Sequence, residues 1–220
     1  MRAQLARNNL STDVAALVRG MIVDGRLPAG ERINEVQLSQ QLGVSRTPLR
    51  EALGRLVTEG AITNASRFGN FVRPLTLEEF EQIYDIRPLL DPEALRLAGI
   101  PSANRLERLK KINTKFIDAR DPETAIARDD EFHLELLADC LNRVLVELIE
   151  NIMMRTHRYE VALLREVPNV KRSGDDHARI IAALRARDLK AACAALKQNM
   201  QIGRAPIIEW LRTREALPTL

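Results

Sequence analysis

Three side chains in this sequence have the types and spacing to hold a cation. Asp129 and His133 are four residues apart, so on a helix they project from one face, one turn from each other. Ile126, Leu136 and Leu137 fall on that face too, which points it into a core rather than to solvent. A buried carboxylate and imidazole need partners. Hydrogen bonding within the pair is one way to supply them. A shared divalent cation is the other, with His177, one of three histidines in the chain, as a further ligand. A second set of residues has the chemistry of anion binding. The run 37–50 reads QLSQQLGVSRTPLR. Its Ser45, Arg46, Thr47 and Arg50 line the start of a helix with donors suited to phosphate oxygens and guanine edges. An anion there also meets the positive end of the helix dipole. An ordinary surface helix carrying a few arginines is the competing reading.

The elements that must position these residues follow from periodicity and turn chemistry. Val14, Leu17, Val18, Met21 and Ile22 predict a helix over 13–24, with Ser11 or Thr12 as cap and the glycine-bearing stretch 25–30 as its end. Asn34 caps a short helix over 35–42. Leu38, Leu42, Val44 and Leu49 anchor it and the next helix, with Gly43 as the sharp turn between them. Ser45 is placed to cap a helix over 46–59, where Pro48 near the start breaks no internal bond, and Gly60 closes it. Residues 61–74 hold two short β-type runs around Asn64, Gly69 and Asn70, a hairpin that serves as a wing with Arg67 and Gly69 at its tip. Beyond Pro74 everything reads helical. A capping box at 76–79 starts a helix that Pro88 and Pro92 are expected to kink. Further helices are expected from 101, over 121–141, over 143–166 with a stop near Pro168, over 170–185, and over 189–212 behind Asp188. The expected fold is mainly α. An N-terminal winged helix-turn-helix of three helices plus a small β-hairpin occupies 1–74. A C-terminal all-α antiparallel bundle of about six or seven helices occupies 75–220.

Composition narrows the function. No segment resembles a signal peptide or a membrane span, so a soluble, cytoplasmic protein is expected, with no membrane partner. Cys140 and Cys193 sit far apart in apolar helical settings and read as free thiols. Aromatic residues make up only 4% of the chain, too few for a single-strand stacking platform. Residues 1–73 contain ten arginines against six acidic residues, while 74–220 contain 23 basic against 24 acidic. The positive excess therefore lies in the segment that would meet phosphates.

The stretches GRLPAGERINE (25–35), LGVSRTPLREALGRLVTEG (42–60) and the glycine-bearing wing resemble the winged helix-turn-helix of the GntR family of bacterial transcriptional regulators. That resemblance implies DNA contacts by Arg46, Thr47 and Arg50, with Gly69 at the wing tip. Val36 stands where the family often has an arginine. The runs DDEFHLELL (129–137) and DDHARIIAALRARDLKAACAALKQNM (175–200) resemble the FCD ligand-binding domain of the FadR branch. This second resemblance implies a metal held by Asp129, His133 and His177, with the last ligand falling on Asn199 in place of a histidine. An amide oxygen coordinates more weakly than imidazole. The divalent metal expected is zinc, with nickel or manganese as alternatives. The resemblance also places Arg87 in the effector pocket, where a guanidinium facing a metal clamps a small carboxylate. From the residues alone, Arg87 reads equally as a surface ion pair with Asp91, and His157 as a polar helix residue.

Together these point to a DNA-binding, ligand-responsive regulator. The expected protein is a homodimeric repressor, released from a palindromic double-stranded operator by a small organic acid. The short connector at 73–77 is not a flexible linker in composition, so the expected coupling runs through the orientation of the DNA-binding heads. The rival is a metal-dependent hydrolase-like helical domain fused to a DNA-binding module. Against an enzyme, no HExxH occurs and no second carboxylate is spaced to act as base. An architectural DNA-binding protein would leave Asp129, His133, His177 and Arg87 without a role.

Overall fold

The computed structural model describes residues 2–166 and 171–215, arranged as two compact units, 1–75 and 76–220. The expected stop at Pro168 and helix start at Val170 fall outside the described residues.

In the first unit, α1 spans Arg2–Val23. It does not begin at Asp13. Ser11 lies within it, fully buried, so the cap expected there is instead part of the interior packing. Helix α2 covers Glu35–Gln41, and the Asn34 side chain accepts hydrogen bonds from the Val36 and Gln37 amides. Helix α3 covers Arg46–Thr58. Ser45 occupies the position before it, but its hydroxyl makes no capping bond. Strands β1 (Ile62–Ala65) and β2 (Gly69–Val72) pair antiparallel, with Asn64 opposite Asn70. Arg32 adds a single bridge to Phe71. At the tip, Arg67 and Gly69 both have positive φ, 70° and 102°. For glycine this conformation carries no steric cost, whereas for Arg67 it is the less common choice. The interior between these elements is aliphatic, with Val18, Leu49, Ala52, Leu53, Leu56 and Ile62 all buried.

The second unit is all-helical among the described residues. Its helices are α4 (Leu77–Ala98), α5 (Ala103–Ile117), α6 (Pro122–Leu137), α7 (Arg143–Glu166), α8 (Lys171–Arg185), α9 (Leu189–Asn199) and α10 (Arg204–Glu215). The Thr76, Ser102, Asp121 and Asp188 side chains cap α4, α5, α6 and α9, each accepting from an amide of the first turn. Helix α4 runs unbroken through Pro88 and Pro92. Consecutive packed pairs such as α5 with α6 and α8 with α9 are joined by short turns and so run antiparallel. The single helix expected over 189–212 is in fact two. The turn between them is tightened by bonds from Gln201 N to Gln198 O and Ile202 N to Asn199 O. Pro206 explains the break: it has no amide to continue a helix from α9, but it is tolerated in the first turn of a new one.

Candidate metal centre and nucleic-acid interface

The candidate metal centre is built from α6 and α8. Phe132, His133, Leu136 and Leu137 are all buried on α6, so the apolar stripe carries the histidine inward. Asp129 and His133 lie one turn apart, with Asp129 Oδ2 3.6 Å from His133 Nε2. From α8, His177 brings Nε2 to 3.2 Å from Asp129 Oδ1. The three residues each present a ligand atom within 4.8 Å of the others.

Neighbours of His177 fix its chemistry. Asn113, on α5, donates through Nδ2 to the Gly174 carbonyl at 3.0 Å and presents Oδ1 to His177 Nδ1 at 3.0 Å. Because an amide oxygen only accepts, the proton of a neutral ring lies on Nδ1, leaving a lone pair on Nε2. That lone pair faces the Asp129 carboxylate, and Nε2 is buried with no hydrogen-bond partner among the described residues. Two acceptors 3.2 Å apart hold together only with a proton or a cation between them. The Phe132 ring, stacked 3.9 Å from the His177 ring at 14°, holds the plane of the imidazole. Helix α8 approaches α5 this closely because position 174 has no side chain: a Cβ there would lie 2.6 Å from Ile117 Cγ1.

The donor set of one carboxylate and two imidazoles suits a divalent transition ion, and its orphaned nitrogens fit one. His133 Nδ1 and Asn199 Oδ1 are also buried with no hydrogen-bond partners among the described residues. Burial pushes the His133 imidazole down to about 3 against the upward pull of Asp129. Burial pushes Asp129 up, but His133, His177 and Arg87 together outweigh it and bring the carboxyl down to about 2. Both side chains therefore stand at neutral pH in the form that donates electron pairs.

Arg87 is not on the surface. It is 5% exposed, 3.8 Å from Asp91 and 3.6 Å from Glu160, and it donates to Thr156 Oγ1 at 3.1 Å. Its ion pair with Asp91 exists but is buried. Glu160 also accepts from the Tyr84 hydroxyl at 3.0 Å. Burial raises Glu160 to about 7 despite Arg87, with Asp129 and Asp130 adding to the rise. His157 pairs with Asp130 at 2.7 Å. Arg155 pairs with Glu79, 3.1 Å from Nε to Oε1. Asn113, Thr156 and Glu160 were missed in the sequence. For Asn113 a signal existed, as it shares the α5 face of Leu109, Ile112 and Phe116, where a polar side chain needs a partner.

The candidate nucleic-acid interface lies on the other unit. Ser45, Arg46, Thr47 and Arg50 are exposed along the start of α3, as is Arg67 at the wing tip, while Leu49, Ala52, Leu53 and Leu56 turn inward. With no capping bond of its own, the Ser45 hydroxyl is free to donate outward. Gly69 is approached by the Arg32 guanidinium, whose Nε would lie 3.6 Å from a Cβ there. Val36 is exposed on α2. Arg50 does not stand alone: its Nε donates to Glu35 at 2.7 Å.

A winged helix-turn-helix joined to a helical unit with a buried ligand-type cluster defines the class of DNA-binding transcriptional regulators. The chain belongs to the GntR family of bacterial regulatory proteins, in the branch that carries an FCD domain. Residues 10–72 match the description "Bacterial regulatory proteins, gntR family" and residues 82–201 match the FCD domain. The chain is 31% identical over 198 residues to the Nta operon transcriptional regulator of Aminobacter aminovorans, covering 87% of this chain and 91% of that protein. It is 27% identical over 210 residues to the gluconate operon transcriptional repressor of Bacillus subtilis (strain 168), covering 89% and 84%. The solved structure of E. coli McbR/YncC is similar with a TM-score of 0.80 at 27% identity, covering 91% of this chain and 98% of that one. The protein is thus a transcriptional regulator and not an enzyme. No helix among the described residues is long and apolar enough to cross a membrane.

Proposed function

We propose that the protein is a one-component, cytoplasmic repressor that binds a palindromic operator as a homodimer and leaves it when a small organic acid occupies the helical unit beside a divalent metal. One observation carries the reading: the His177 Nε2 lone pair and the Asp129 carboxylate face each other at 3.2 Å, with Nδ1 already committed to Asn113. Asp129, His133 and His177 would hold the ion, and Asn199 would offer its unpartnered amide oxygen. The ion would supply an open coordination site for an effector carboxylate. Arg87 would take the other oxygen, exchanging Asp91 and Glu160 for the effector. The gluconate operon repressor among the relatives supports an organic acid as the signal.

Ser45, Arg46, Thr47 and Arg50 would read one half-site from the major groove, with Arg67 and Gly69 on the adjacent backbone or minor groove. The dimer is supported by an exposed apolar stripe, Leu141, Val144 and Leu148, at and before the start of α7. Release requires that the effector bind one state of the dimer more tightly than the other, by about 1–3 kcal/mol for a typical coupling.

The test is thermal-shift screening of organic acids together with metal analysis of the purified protein. A metal near one per chain and an acid that both raises the melting temperature and weakens operator binding are expected. Protein free of metal that no acid stabilises would sink the effector reading. Asn199→His should tighten metal binding, and an unchanged affinity would remove position 199 from the ligand set.

A further inference from the structure

We propose that Glu35 and Asn70 are positioning residues which hold the Arg50 guanidinium for base reading and tie the wing to the recognition helix. This rests on Arg50 lying against DNA. A polar chain crosses four elements of the first unit, α3, α2, β2 and β1. Arg50 Nε on α3 donates to Glu35 Oε2 at 2.7 Å, Asn70 Nδ2 on β2 donates to Glu35 Oε1 at 3.2 Å, and Asn64 Nδ2 on β1 donates to Asn70 Oδ1 at 2.8 Å. Asn64 and Asn70 are direct cross-strand partners.

Each link has one orientation. A carboxylate only accepts, so Asn70 must turn its amide nitrogen toward Glu35 and its oxygen toward Asn64. Both oxygens of Glu35 are thereby engaged, one by each functional element. Glu35 is itself held at the first turn of α2, behind the Asn34 cap, where the helix dipole favours a carboxylate.

The consequence for Arg50 is directional. Its side chain is 68% exposed, and a long side chain that exposed otherwise samples many rotamers. Held through Nε, the guanidinium keeps its two terminal nitrogens free as a paired donor edge, the shape that matches guanine O6 and N7. The same carboxylate is a poor neighbour for phosphate. Glu35 therefore lowers affinity for DNA at large while favouring the sequence that accepts the fixed arginine, which is discrimination by repulsion as well as attraction. Because Asn70 shares that carboxylate, a change in the wing is transmitted to the arginine on α3.

The experiment uses the full-length chain. A preferred duplex is selected from a randomised library, and its binding and that of a scrambled duplex are measured across a salt series for the native protein, Glu35→Gln, Asn70→Ala, Arg50→Ala and the double variant Asn70→Ala/Arg50→Ala. Asn70→Ala should weaken the selected duplex by about fivefold, less than the loss on removing Arg50. Scrambled DNA should stay within about twofold, and the salt slope should be unchanged because no phosphate contact is removed. Glu35→Gln should narrow the selected-to-scrambled ratio, with scrambled DNA bound at least as tightly as before. Adding Asn70→Ala to Arg50→Ala should cost nothing more. Asn70→Ala lies at the hairpin, away from the helix cap, and carries the test if Glu35→Gln fails to fold. If Arg50→Ala itself leaves binding unchanged, the placement of Arg50 on DNA is wrong. If Arg50→Ala weakens binding but the Asn70→Ala loss is absent, equal on both duplexes or additive with it, the positioning role is overturned and the placement stands.

Discussion

The two units carry their candidate functional side chains in opposite ways. On the first, Ser45, Arg46, Thr47, Arg50 and Arg67 stand in solvent on a scaffold whose aliphatic interior contains none of them. On the second, Arg87, His133, His177 and Asn199 are buried, and several of their polar atoms have no partner among the described residues. A surface that meets DNA keeps its charges hydrated until the partner arrives, at little cost to folding. A buried site is desolvated before any ligand binds, so its unpaired atoms are a standing penalty that the ligand removes. The first kind of site is tuned by which charges it shows, and the second by which partners it lacks.

Several experiments would sharpen or break that contrast. The largest effect is expected from Asp129→Ala, which removes the only carboxylate of the cluster. Metal affinity should fall by at least about 100-fold, more than for loss of a supporting partner such as Asn113. Operator binding without effector should persist, and parallel loss of both would show that the units do not divide the work. Next, Arg46→Ala should cost about 1–3 kcal/mol of operator affinity if it reads a base, with relaxed preference at that position. A uniform loss with a smaller salt slope would reassign it to phosphate.

A third prediction concerns pH. The Glu160 carboxyl is raised from 4.5 to about 7 by burial, so the folded state holds its proton more tightly than the unfolded chain. That contribution is fully present below about pH 4.5 and is lost as pH rises through about 7, by about 2–3 kcal/mol across the interval. Glu160→Gln should therefore flatten the pH dependence of the melting temperature between pH 5 and 8 and raise the melting temperature at the upper end; identical profiles would place Glu160 in a hydrated setting. The smallest effect belongs to Ser45→Ala. With no capping bond to lose, it should change stability by less than about 0.5 kcal/mol, whereas Asn34→Ala should cost about 1 kcal/mol. Operator titration of Ser45→Ala then isolates any phosphate contact of the hydroxyl.

The same contrast explains what could be read from the chain. The winged helix-turn-helix was legible because SRTPLREAL is a local pattern and its glycines mark turns that short-range chemistry requires. In the helical unit, the spacing of Asp129 and His133 predicted a shared face, and His177 stood out as a further candidate ligand by its residue type, with the resemblance adding to that reading. Asn113 and Glu160 could not be placed, because they act across helices far apart in sequence. For Arg87, spacing gave its partner Asp91 but not its depth, which α7 supplies through Thr156 and Glu160. The break between α9 and α10 was written in Pro206, and the apolar periodicity over 189–212 concealed it. The link from Arg50 to Asn70 was out of reach, since nothing along the chain announces that Glu35 serves both.

Gly174 gives the second unit a particular evolutionary vulnerability. A glycine inside a helix weakens it by about 0.5–1 kcal/mol relative to alanine, so a drift to alanine would look favourable on helix propensity alone. Here the added methyl would lie 2.6 Å from Ile117 Cγ1, so either the half-exposed Ile117 side chain turns aside or α8 moves from α5, and the second course carries His177 away from Asn113 and Asp129. The proposed metal site would then be disturbed by a net gain of one carbon and two hydrogens, with Asp129, His133 and His177 all still in the sequence. Among relatives of this chain, the residue at this position would then bear on the proposed metal site as the candidate ligands themselves do.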